Sequence, residues 1–150
     1  MLCDIANEKG EQKMFHWQAE FELGITSIDN QHKKLIEIGN RINELLEYQD
    51  DEDDYNQILE VLEELKSYTD YHFKTEEELF LKYNYPEFHL HKKEHDNFIR
   101  YIDSIDVDSY EEDKTLFIRD LLQKIINWIF HHIITSDYMY KDYLVRLGAK

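Results

Sequence analysis

His72-Phe-Lys-Thr-Glu76 and, after fourteen intervening residues, His91-Lys-Lys-Glu-His95 decide how this chain is read. Within each pair the spacing is i, i+4, so on a helix both members project from one face. Asn84-Tyr85-Pro86 lies between the pairs and predicts a reverse turn. Two antiparallel helices would then aim three imidazoles and one carboxylate at a single spot. That is a metal-site pattern, and the rest of the chain can be searched for the ligands it still needs.

The helix carrying the first pair is expected from about Asp54 to Asn84. Its apolar stripe is Ile58, Leu62, Leu65, Thr69, His72, Glu76, Leu79 with Phe80, and Tyr83. Glu76 thus falls at a core position, where an unpartnered carboxylate is costly and needs a cation or a proton. Glu77 and Glu78 lie off the stripe and read as surface residues. The next helix opens near Pro86, a good first-turn residue, with the stripe Phe88, His91, His95, Phe98, Ile102, Ile105. His89 lies off that stripe and should be exposed.

Upstream, Thr26-Ser-Ile-Asp29 has the form of a capped helix start, and a helix follows to about Tyr48. His32 stands in its stripe among Ile28, Leu35, Ile38, Ile42 and Leu45. Downstream, Ser109-Tyr-Glu-Glu112 reads as a capping box for a fourth helix with the stripe Phe117, Leu121, Ile125, Trp128, His132. His131 is one position off. Asp137 follows His132 by five residues, which an ideal α-helix rotates off the His132 face. Asp137 could join a site only at a distorted or ending helix.

The margins are plainer. Residues 1–15 read as a flexible tail, with Cys3 an incidental thiol, ahead of a domain spanning 16–150. His16 to Gly24 is an extended lead-in whose Trp17, Phe21 and Leu23 can cover one end of a core. Gln49 to Asp54 is an acidic break without the glycine and spaced ligands of an EF-hand, so a solvated loop is expected. Tyr138 to Leu147 is a short closing helix. With one proline and four glycines in 150 residues, long helices with short connections are the natural reading. The net charge of −16 repels phosphates and anionic lipid, so neither nucleic acid nor membrane is an expected partner. No signal-peptide core precedes the domain and one cysteine allows no internal disulfide, which fits a cytoplasmic setting.

Four inward stripes joined by short connections predict an all-α, up-down-up-down four-helix bundle. Each stripe carries at least one histidine: His32, His72, His91 with His95, and His132. One inward histidine is ordinarily a satisfied core residue. Five with an inward glutamate are hard to satisfy, because no matching set of inward acids or hydroxyls is visible. The lack of a cysteine pair removes thiolate zinc and iron–sulfur sites, and this many nitrogen and oxygen donors suits two six-coordinate first-row ions.

These residues together resemble the hemerythrins over about residues 17–147. The resemblance rests on Asp29-Asn-Gln-His32-Lys-Lys-Leu, Tyr71-His72-Phe-Lys-Thr-Glu76-Glu, Tyr85-Pro86 with His91 and His95, and Trp128-Ile-Phe-His-His132-Ile with Asp137. It implies a non-haem di-iron centre with an oxo or hydroxo bridge. His91, His95 and His132 would bind one iron, His32 and His72 the other, and Glu76 and Asp137 would bridge them. The family's spacing, not helix periodicity, is what admits Asp137. One coordination position would stay open on the two-histidine iron, and dioxygen would bind there. The function so implied is reversible dioxygen binding for storage, delivery or scavenging, without enzymatic turnover. A sensor of oxygen, nitric oxide or iron acting through a separate partner is the alternative. A di-iron oxidase or peroxidase is disfavoured because Glu-x-x-His, the pairing of ferritin-like enzymes, occurs nowhere in the chain. Phe80 departs from the family, which often has methionine there. No protein recipient of oxygen is indicated.

Overall fold

The computed structural model describes residues 15–47, 52–109 and 114–150. Helix α1 spans Thr26–Glu47, α2 Glu52–Tyr83, α3 Phe88–Asp103 and α4 Lys114–His132; a π turn over Ile133–Asp137 leads into the short α5, Tyr138–Arg146. Consecutive helices run antiparallel, with α1 packed on α2, α2 on α3, and α1 closing against α4. This is the expected up-down-up-down bundle. The tail to residue 14 with Cys3, the middle of the acidic break, and Tyr110–Glu112 of the expected capping box lie outside the described residues.

Two apolar clusters fill the bundle. The larger includes Leu35, Ile38, Ile42, Leu65, Phe73, Phe98, Leu122, Ile125 and Ile129. The smaller, at the other end, gathers Leu23, Ile25, Ile28, Phe80, Tyr85, Tyr140 and Leu144. Helices α1, α2 and α3 each pass between them across their polar stripe residues, and α4 does so through the turn into α5. On α1, His32 lies between Ile28 and Leu35; on α2, His72 and Glu76 lie near Phe73 and short of Phe80; on α3, His91 and His95 lie between Phe88 and Phe98. The polar layer is therefore enclosed by apolar packing on both sides. Each fully buried aliphatic side chain there contributes about 1.5–3 kcal/mol.

Two local details differ from expectation. Helix α3 begins at Phe88, two residues after Pro86, which sits in the turn. The reversal needs the extra length: Asn84 adopts a left-handed φ of 52°, and the Tyr85 amide bonds back to the Phe80 carbonyl at 2.9 Å. Asparagine tolerates that conformation better than most residues. At the start of α1, Asp29 reaches back past Thr26. Its carboxylate accepts from the amides of Leu23 (2.8 Å) and Gly24 (3.1 Å), fastening the lead-in onto the helix. Gly24 takes a φ of 79° at this bend, which a side chain would strain. Farther out, Phe15 packs on Phe130 with ring centroids 4.4 Å apart, and Asn40 bonds both its amide and its carbonyl.

Asp29→Ala would leave two amides without acceptors, one of them buried. The expected cost is about 1–3 kcal/mol, read as a lowered urea midpoint. An unchanged midpoint would mean that this fastening adds nothing to the fold.

Candidate metal centre

Seven polar side chains meet in the layer between the two cores. His32, His72, Glu76, His91, His95, His132 and Asp137 are all nearly inaccessible to solvent, and Glu76, His32 and Asp137 are fully so. His89, expected to be exposed, is exposed, and so is His131, which lies one position off its stripe. The i, i+4 pairs on α2 and α3 work as their spacing predicts. His95 stands 3.1 Å and His91 3.5 Å from Glu76 Oε2, while His72 stands 3.5 Å from Glu76 Oε1.

Asp137 enters through the π turn. The Tyr138 amide bonds the Ile133 carbonyl, five residues back, so the backbone widens over this one turn. A wider turn brings residue i+5 under residue i. Asp137 thereby faces His132, and its Oδ1 lies 3.1 Å from His132 Nε2 and 3.0 Å from His91 Nε2. Its Oδ2 lies 3.1 Å from His32 Nε2 and 4.0 Å from His72 Nε2.

The donor atoms sort into two overlapping groups. Glu76, His91, His95, His132 and Asp137 form one; His32, His72, Glu76 and Asp137 form the other; within each, the donor atoms lie within 4.8 Å of one another. The two carboxylates belong to both groups. Each turns one oxygen toward the three-imidazole group and the other toward the two-imidazole group.

The orientation of the rings is set from behind. His95 Nδ1 donates to Glu77 Oε1 at 3.0 Å, His132 Nδ1 to Glu94 Oε2 at 2.9 Å, and His72 Nδ1 to Gln31 Oε1 at 2.8 Å. The Gln31 amide is oriented in turn by donating to Thr75 Oγ1, whose hydroxyl donates to the Tyr71 carbonyl. Carboxylate and carbonyl oxygens only accept, so each Nδ1 carries the hydrogen and a neutral ring leaves its Nε2 lone pair pointing inward. Glu77 is thus an outer partner of the centre and not the surface residue its position off the stripe predicts. Periodicity follows the helix facing the core and is blind to a side chain reaching across a helix hairpin. Glu94 was missed for the same reason.

The inward-facing atoms are poorly satisfied by one another. His95 and His91 Nε2 lie 3.1 and 3.2 Å from His132 Nε2, and His32 and His72 Nε2 lie 3.2 Å apart. Both Asp137 oxygens and Glu76 Oε2 are buried without a well-formed hydrogen bond. Lone pairs crowded against carboxylate oxygens call for positive charge in their midst. The donor set fits metal ions on that ground. Without one, protons must serve. Burial pulls His91 down, but the Asp137 and Glu76 carboxylates outweigh it and hold the imidazole at about 10. His72 goes the other way: burial lowers it to about 4 despite Glu76. Burial raises both carboxylates, yet the surrounding imidazoles hold Glu76 and Asp137 below the usual carboxylate range.

Aromatic rings close the site. Phe73 stacks on His95 at 3.7 Å, Trp128 on His132 at 4.7 Å, and Phe80 meets His91 edge-on at 4.8 Å. The Tyr140 hydroxyl donates to Glu76 Oε1 at 2.5 Å; burial, then the Glu76 charge, raises this phenol so that it keeps its proton.

A helical bundle holding a buried histidine and carboxylate cluster that can bind metal ions defines a class of protein, and the comparisons name its family. Residues 23–144 match the hemerythrin HHE cation binding domain. The chain is 40% identical over 129 residues to a bacteriohemerythrin of Clostridium acetobutylicum, covering 86% of this chain and 100% of that one. It is 38% identical to a bacteriohemerythrin of Pseudomonas aeruginosa over 84% of this chain and 78% of that one. A hemerythrin-like protein of Naegleria gruberi is 30% identical over 87% and 93%. The chain belongs to the hemerythrin family.

Metal uptake should be linked to protons with a definite sign. The proton on His91 stabilises the metal-free fold fully below its ordinary 6.5, and that contribution is lost as pH rises toward 10. A metal ion needs the same lone pair, so binding at pH 8 releases this proton and tightens as pH rises. Acidification of a weakly buffered, dye-monitored solution on adding a divalent ion to metal-free protein is the expected result. Binding without acidification would mean that His91 is already neutral.

Proposed function

We propose that this chain binds dioxygen reversibly at a non-haem di-iron centre, as a protein of oxygen storage, delivery or scavenging and not as an enzyme. The observation that carries the reading is the way Glu76 and Asp137 divide their oxygens. Each offers one oxygen to His91, His95 and His132 and the other to His32 and His72. In this reading His91, His95 and His132 would hold one iron and His32 and His72 the other, with Glu76 and Asp137 shared between them. The group with one imidazole fewer is the one at which an ion would accept an outside ligand.

When bound, the two ferrous ions supply the electrons for dioxygen binding and recover them on its release. The chain's part is containment. Nδ1 hydrogen bonds fix His72, His95 and His132 with Nε2 inward. Phe73, Phe80 and Trp128 exclude water from three sides. Tyr140 keeps a proton on its own hydroxyl and donates it to Glu76 Oε1, steadying that carboxylate without titrating. A ligand set dominated by neutral imidazoles in a dry apolar shell favours release over onward oxidation. Among the described residues no helix is long and apolar enough to cross a membrane. A cytoplasmic setting belongs to the same reading and is supported by the single cysteine.

The test is the optical spectrum of the anaerobic, iron-loaded, reduced protein before oxygen, after it, and after its removal. Charge-transfer bands that appear with oxygen and vanish without it, over several cycles, are expected. Collapse to a stable di-ferric spectrum in one pass would overturn reversible binding. Substitutions test the ligand set. His95→Ala is expected to lose iron or make it labile, and unchanged iron content would remove His95 from the set. Asp137→Ala is expected to abolish the di-iron spectrum, because one carboxylate serves both groups. A normal spectrum from that variant would assign the bridge elsewhere.

A further inference from the structure

The two imidazole groups differ in more than number. Behind the three-imidazole group stand two carboxylates. Glu77 accepts from His95 Nδ1, and Glu94 accepts from His132 Nδ1. Among the described residues, no charged group accepts a hydrogen bond from Nδ1 in the two-imidazole group. His72 Nδ1 meets the neutral amide of Gln31, and His32 Nδ1 is buried without a hydrogen-bond partner. The contrast is built into the fold. Glu77 is only 18% exposed, and its second oxygen lies 3.5 Å from Lys92 Nζ. Glu94 is 49% exposed, but Ser136 in the π turn holds the accepting oxygen with a hydroxyl at 2.6 Å.

A carboxylate accepting the far N–H of an imidazole draws the proton outward and leaves the ring a stronger donor; a neutral carbonyl does so less. A ring with no partner is neither oriented nor activated from behind. We propose that Glu77, Glu94 and Gln31 are positioning residues that make the two metal positions unequal. The position at His91, His95 and His132 fills first and holds its ion tightly. The position at His32 and His72, the one with fewer imidazoles, fills second and empties first. This inference rests on the two-ion reading above. It goes beyond that reading by assigning the inequality to charge behind the ligands and not to ligand number alone.

Gln31→Glu, Glu77→Gln and Glu94→Gln separate charge from shape, since each keeps an oxygen able to accept the same hydrogen bond. The experiment titrates cobalt(II) into the metal-free full-length protein against a competing chelator and follows the visible ligand-field bands. Wild type is expected to take two equivalents in two resolved steps. Glu77→Gln and Glu94→Gln should each weaken the tight step by about 10–100-fold and leave the weak step in place. Gln31→Glu should strengthen the weak step and narrow the gap. A purely structural loss would lower the melting temperature and leave the ratio of the two affinities unchanged. That result, equal shifts in both steps, or a single step of two equal affinities in wild type would overturn the proposal. Uptake of fewer than two equivalents by wild type would remove the two-ion reading itself, and stoichiometry separates that outcome from the others. Because Gln31 lies on α1 and Glu77 and Glu94 on α2 and α3, a variant that fails to fold leaves the others to decide the question.

Discussion

Two carboxylates with no access to water lie at the centre of this bundle, and much of its design follows from them. A buried ionised carboxylate is tolerated only if cations or hydrogen bonds replace its lost solvation. Glu76 and Asp137 face five imidazoles, yet three of their four oxygens lack a well-formed hydrogen bond. The imidazoles have the opposite requirement, since their inward lone pairs repel one another unless a cation joins them. Neither set is stable alone at this density. Together they form a buried cluster that calls for positive charge, as metal ions or as protons.

Enclosure by the two apolar clusters makes that demand strict. The seven clustered side chains sit where the chain passes from one cluster to the other, and each of them is nearly inaccessible to solvent. Stacked Phe73 and Trp128 hold His95 and His132 by their faces while Glu77 and Glu94 hold them by Nδ1. Ring plane and ring direction are thus fixed independently. The same packing lowers the local dielectric, which strengthens every charge interaction within.

Most of this was legible in the sequence because it is periodic. His32, His72, Glu76, His91, His95 and His132 interrupt aliphatic stripes at the spacing of one helix face, and the bundle follows from those stripes. The resemblance to the hemerythrins supplied Asp137, which periodicity rejected. What stayed hidden depends on departures from an ideal helix or on contacts between helices. Glu77 and Glu94 each lie on a face that periodicity assigns to solvent, and only the antiparallel approach of α2, α3 and α4 brings them behind their histidines. The start of α3 moved by two residues because the chain reversal at Asn84 uses them.

The π turn shows why the place of Asp137 in the cluster could not be read from an α-helical pattern. In a continuous α-helix the residue beneath His132 would be Ser136, and Asp137 would point away. Widening the backbone over Ile133–Asp137 exchanges the two roles. Asp137 turns into the centre, within about one hydrogen-bond length of both imidazole groups, and Ser136 turns outward to Glu94, the residue that orients His132. One local deviation therefore places a candidate bridge inside the site and a support behind it. Such wide turns are less favourable than regular helix and persist where surrounding contacts over-determine them. Here those contacts come from four helices, since Asp137 faces His32 on α1, His72 on α2, His91 on α3 and His132 on α4. The irregular turn is held by the site, and the site exists in this form because of the turn.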